Sequence, residues 1–323
     1  MVEMATASNT ELAGLVVLIL IFSVGTLRYI VKAKQDADSL NGTKSGFADA
    51  KSVHLWWVVD DVEGNARQWL DWSSRLLKKT RSPFLNIHLR RCKEFHEKDF
   101  SFHTLLGRDE VHAVLREHGV EVPAEADVAP SWLWKAWASA QMVTYVGGLW
   151  VDSRVLFIKP ITPTLGVSKA MRFGTDPEEE RGSRASGTNL CWAIDEGCGL
   201  WQTYAQDMDK LMRGGPLSWN GGKIRRAIRY LQDKHLSGQV PTNSGAEWNR
   251  FNSGKLIQVE DLVERLIPPN EEVEMPGPDV VAVPLPDTLE KNISTAWFLR
   301  LSEEQLLEGK FLWSHLAIPV SLD

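Results

Sequence analysis

Leu12 to Leu27, LAGLVVLILIFSVGTL, is an uncharged and almost wholly apolar run, and counting past Arg28 to Val31 extends it to about twenty residues. A helix of that length crosses ~30 Å of hydrocarbon, so residues 12–31 predict a transmembrane anchor behind a short tail, 1–11. Arg28 can reach the interface along its own aliphatic stem. Only glutamates (Glu3, Glu11) precede the run, and no small-residue cleavage site closes it, which favours an uncleaved anchor over a signal peptide. Arg28, Lys32 and Lys34 follow it, which votes for a cytosolic carboxy-terminal side. Tethered Golgi enzymes face the lumen instead, so the sequence leaves the side open. Residues 32–52 are polar and contain Gly and Ser, as a stem would. Asn41-Gly-Thr43 and Asn292-Ile-Ser294 fit glycosylation acceptors if the chain beyond the anchor is lumenal.

From residue 53 to 323 the pattern changes to alternating short apolar runs and amphipathic stretches, which predicts one α/β layered domain with a mostly parallel sheet. VHLWWVVDD (53–61) reads as a buried strand closed by Asp60 and Asp61. A helix follows over 65–79, and another starts at Ser82-Pro83 with Leu85, Leu89 and Cys92 on one face. DFSFHTL (99–105) has strand period, and helix 109–118 ends at Gly119. Residues 130–145 are Ala-rich and helical, and Gly147 stands where a left-handed cap is wanted. YVGGLWVDSRVLFIKP (145–160) then reads as one buried strand, with Asp152 and Arg154 on the same face. NLCWAID (189–195) is a further strand, followed by helices 200–212 and 223–235. Six prolines between Pro268 and Pro286 predict an extended surface crossing. Ser302 and Gln305 form a capping box for a last helix through Leu316.

The balance of 36 basic against 42 acidic residues gives a net charge of −6, which argues against nucleic acid as a partner. Three cysteines without C-x-x-C spacing make neither a disulfide framework nor a zinc cluster, although Cys191 and Cys198 could bridge a loop in an oxidising lumen. Fourteen tryptophans suit either a large aromatic core or sugar-stacking platforms. Hydrolase, phosphate-loop and dinucleotide signatures do not occur in the sequence.

Paired glycines ahead of a strand let a backbone approach closely, and a carboxylate at the strand's end can hold a cation that neutralises a diphosphate. KAWASAQMVTYVGGLWVDSR, with Tyr145, Gly147, Gly148, Trp150 and Asp152 in place, resembles the GT-A-fold glycosyltransferases of the DXD sugar-binding and capsular-polysaccharide-synthesis types. Their helix SDxxRxxxLxxYGG leads into a strand ending in a DXD motif. The resemblance covers about residues 53–215, with a further match near AWFLRLSEEQLL. It implies a GT-A-like, Rossmann-like domain in an endomembrane such as the Golgi or ER. The implied activity is transfer of a hexose from a nucleotide diphosphate sugar to a glycan or lipid-linked acceptor, with retention. This chain has Ala136 for the family's helix Asp, Ser139 for its Arg, and Arg154 for the second Asp of the motif.

Two readings of these residues arise. In one, Asp152 and Arg154 act at the donor, with a manganese or magnesium ion on Asp152 or with the guanidinium replacing the metal. Asp60, Gly147 and Gly148 would then line the nucleotide site, Asp195 would serve as base or acceptor ligand, and Trp219 would stack on sugar from the loop RGGPLSWNGG. In the other, the site has decayed, Asp152 and Arg154 form a structural ion pair, and the domain is an inactive structural or binding module. Turn formation is the plainer use for Asp60 and for Asp195-Glu196. His88, Cys92 and His96 share a helix face with four-residue spacing but lack a completing ligand motif. The basic helix 223–235 has Ile224, Ala227, Ile228 and Leu231 on its apolar face, with arginines outside for solvent or, less commonly, anionic lipid.

Overall fold

The computed structural model describes residues 53–60, 83–165, 170–173, 190–194, 198–219, 221–236, 242–243, 250–255, 257–264, 267, 274–285 and 297–318. The anchor and stem expected over 12–52 and the helix expected over 65–79 lie outside these residues. Among the described residues no helix is long and apolar enough to cross a membrane.

In chain order the main elements are β1 (His54–Val59), α1 (Pro83–His96), β2 (Ser101–Leu106), α2 (Arg108–Glu117) and α3 (Ser131–Gln141). They continue with a π-helical turn (Met142–Val146), β3 (Gly148–Asp152), β4 (Val155–Phe157), β5 (Ala170–Phe173), β6 (Leu190–Ala193), α4 (Gly199–Arg213) and α5 (Gly221–His235). Last come β7 (Thr242–Asn243), β8 (Ala282–Pro284), α6 (Glu303–Glu308) and α7 (Leu312–Ala317). Six strands form one sheet in the order β2-β1-β3-β6-β5-β7, and β4 pairs with β8 in a separate ribbon. β1 is parallel to β2 and β3, and β5 to β7, whereas β6 runs antiparallel to both β3 and β5. The α/β class holds and the sheet is mixed, because β5 and β6 are antiparallel neighbours that need no crossover helix between them.

The two-residue period of the strands sorts their side chains between two cores. Trp56, Val58, Trp150 and Cys191 join a cluster with Val111, Leu115, Trp134, Trp137, Tyr204 and Ile228, which come from α2 to α5. Leu55, Trp57, Leu149 and Val151 alternate with them and are also buried, so the central strands are apolar on both faces. Seven of the fourteen tryptophans, at 57, 134, 137, 150, 192, 201 and 313, are essentially inaccessible, which gives them to the core rather than to sugar platforms.

Local chemistry sets the boundaries. Pro83 opens α1, where its missing N–H leaves nothing unsatisfied. After α2, Gly119 turns the chain with φ 74°. Ser302 accepts from Gln305 N and its own N–H donates to the Gln305 side chain, completing the expected box. The helix it starts ends at Gly309, so the expected single helix is two short ones, α6 and α7. Residues 280–285 are mostly buried and include β8, which overturns the expected surface crossing there. Pro284 is tolerated because its ribbon has only two strands, where a missing donor can face outward.

Candidate functional site

From β1 the chain passes to β2 on one side and returns to β3 on the other, so the strand order reverses between β1 and β3. In open α/β sheets ligands bind outside the carboxyl ends of strands at such a reversal. Asp60 follows β1 and Asp152 closes β3, with Val58 opposite Asp152 in register, so both carboxylates stand there.

The stretch 145–160 is not one strand. It ends as β3 at Asp152, turns at Ser153-Arg154, and resumes as β4 in the other sheet. The expectation that Asp152 and Arg154 share a strand face is corrected to a turn: Asp152 Oδ1 accepts the Arg154 backbone N–H at 2.9 Å, a local bond that short acidic side chains favour. Asp152 Oδ2 lies 2.8 Å from Lys135 Nζ, and the two side chains are 1% and 3% exposed. Around them Ser153 N–H donates to Val58 O, the Ser153 carbonyl accepts from His88 Nδ1 at 2.9 Å, and Leu285 N–H donates to Arg154 O at 2.9 Å. The turn is therefore fixed from β1, α1, α3 and the segment after β8. Arg154 is 4% exposed.

Asp60, fully buried, accepts a bidentate pair from Arg108, Nε at 2.9 Å and Nη2 at 3.0 Å. Arg108 Nη1 also donates to the carbonyls of Ala126 and Asp127, and its guanidinium lies over Trp134 at 5.1 Å.

These surroundings do not fit a dication on Asp152. A hard dication gathers six or more oxygens, whereas the Asp152 carboxylate is engaged by an ammonium and by the turn's own backbone. A second set of possible ligands, Asp109, His112 and Asp127, brings its donor atoms within 4.8 Å of one another. An indole N–H can only donate, and that of Trp134 reaches His112 Nε2 at 2.9 Å. Nε2 must therefore present its lone pair, and the proton sits on Nδ1 facing Asp127 Oδ1 at 3.2 Å. A metal at Nδ1 would require an imidazolate or the loss of the indole bond, so this set reads as a hydrogen-bonded network.

The same tautomer recurs on α1. His88 Nδ1 donates to Ser153 O while Nε2 accepts from Trp313 Nε1 at 3.2 Å; His96 Nδ1 donates to Cys92 O while Nε2 accepts from Ile161 N–H. Burial pushes His88 down to about 3, with the Arg154 charge adding to the effect, and burial pushes His96 down to about 4. Both rings are committed to neighbours, and Cys92 is buried between them in sequence with its thiol pushed up by burial.

Gly148 has φ 91°, and a Cβ there would lie 2.4 Å from His54 O. The close approach that its sequence suggested is made by β1. The Gly147 carbonyl accepts the Trp56 indole at 3.0 Å. Trp219 packs against the helical core, its Nε1 3.4 Å from Leu211 O. Cys191 is buried and Cys198 half-buried, and they are not joined by the disulfide that an oxidising lumen would have allowed. Asp61, Asp195, Glu196 and Asn220 lie outside the described residues.

Sequence reasoning brought Asp60 and Asp152 to one edge of the sheet and missed their partners. Lys135 was visible as the one charged residue of SWLWKAWASAQ. Arg108 was visible as a cation at a helix amino terminus, where the dipole disfavours it unless tertiary contacts compensate.

No protein-family model, curated protein or solved structure matches this chain.

Proposed function

We propose that this chain is a membrane-tethered, glycosyltransferase-like α/β module without transferase activity, serving as a structural or binding domain. The observation that carries the proposal is the Lys135–Asp152 pair: the carboxylate on which donor binding would depend is buried and neutralised by a buried ammonium. The π-helical turn adds to it. Such a turn accommodates one extra residue, here within MVTYV ahead of the glycines. Lys135, next to the position where the resemblance puts the family's helix Asp (Ala136), lies on the helix just ahead of this turn. A cation there supplies internally the positive charge that a donor site would otherwise recruit as metal.

A transferase is the second reading, favoured by the placement of Asp60 and Asp152 at the strand-order reversal. The two part on a thermal-shift experiment with the full chain in detergent, using UDP-, GDP- and CDP-sugars with and without manganese. The inactive module gives no donor-dependent rise in Tm. A rise with one donor that disappears in Asp152→Asn would instead establish the transferase, since only a ligand of the native state raises the transition.

A further inference from the structure

We propose that the outer face of α5, together with Leu217 just ahead of it, docks onto an anionic lipid surface. Ile224, Ile228, Gln232 and Leu236 repeat every four residues and are buried, which fixes the opposite face of the helix outward. That outward face carries Lys223, Arg226, Tyr230, Asp233 and Lys234, all exposed, with Arg229 half-buried at its edge. Arg225 is drawn off to Trp132, 4.8 Å from the ring, and Lys234 lies 3.9 Å from Asp207. The strip is thus basic on a chain whose net charge is −6, so its charge is local and not an average property.

Two apolar side chains mark the kind of surface it meets. Leu217, in the single turn Pro216–Ser218 that leads into the helix, is fully exposed, and Tyr230 is 63% exposed in the middle of the basic strip. A leucine and a tyrosine among lysines and arginines suit the headgroup region, where the apolar tips enter the acyl boundary and the cations meet lipid phosphate and carboxylate. Nucleic acid would use the cations and leave Leu217 in water. The inference rests on the proposed tether for its proximity to a bilayer and on its own residues for its chemistry.

The test uses the full chain with Cys198→Ser and Leu217→Cys, the new thiol carrying an environment-sensitive fluorophore. Vesicles are of phosphatidylcholine alone or of phosphatidylcholine mixed with phosphatidylserine. The expected result is a blue shift only with phosphatidylserine, fading at high salt as screening shortens the reach of the charges. The double variant K223Q/R226Q should lower the partition coefficient onto phosphatidylserine vesicles, read from the dye's lipid titration, roughly 25-fold, about fivefold per basic residue. Equal emission on the two vesicles, or a shift indifferent to K223Q/R226Q, overturns the proposal. Flotation with neutral vesicles reads the tether separately. A chain that floats there while its dye stays wet on both lipids keeps the tether and loses this surface. A chain that floats only with phosphatidylserine does the reverse, and one that floats with neither loses both.

Discussion

Lys135 and Asp152 meet with side chains 3% and 1% exposed, a setting in which removing one charge is worse than removing both. Lys135→Met should destabilise the fold by about 3–5 kcal/mol by leaving a buried carboxylate unpaired. Asp152→Asn keeps an oxygen for the Arg154 N–H and should cost a similar amount through the stranded ammonium. The double variant should cost clearly less than the sum, a coupling read from denaturant midpoints of the four proteins. Additive losses would mean that the pair contributes nothing as a pair. Asp60 belongs to the same class of residue: its bidentate Arg108 is itself bonded to two carbonyls, so the acid is one end of a satisfied network.

At the scale of elements, Gly148 combines a positive φ with a close approach to backbone. Its φ of 91° and the 2.4 Å approach of an added methyl to the His54 carbonyl act together, so Gly148→Ala should lose more than about 3 kcal/mol or prevent folding. Circular dichroism melting of that variant beside Gly119→Ala, where nothing lies within 4 Å, separates crowding from the shared positive φ. Elements with a strong local period were legible in the sequence: β1, β6, α2, α4 and α5 stand within a few residues of where apolar spacing put them. The break after Asp152 was not, because VLF continues the apolar run and its new partner, β8, lies more than a hundred residues further on. β5 and β7 were likewise invisible, being short strands whose pairing is decided by distant neighbours. The site was half legible. A strand-end acid can be seen in one dimension, but the lysine that neutralises it arrives from a helix whose facing depends on a one-residue widening at Met142–Val146.

The whole molecule should be sensitive to acid through histidines that fold neutral. His88 and His96 have folded values of about 3 and about 4 against 6.5 for a free imidazole, and burial also lowers His112. The unfolded chain therefore binds more protons between those limits, and stability rises with pH across them. It should be flat above pH ~7, fall below about 6.5, and lose on the order of 5 kcal/mol by pH 4 from His88 and His96 together. Urea midpoints from pH 8 to 4 check this, and a profile that stays flat to pH 5 would show that the buried rings are not the groups that titrate.

His88 also joins two moments in the life of the chain. Its ring holds the Ser153 carbonyl on one side and the Trp313 indole on the other, across 225 residues of sequence. During translation the turn after β3 can be made long before the residue that locks it has left the ribosome. The part of α1 that receives Trp313 therefore stays without this cover until the last residues of the domain emerge.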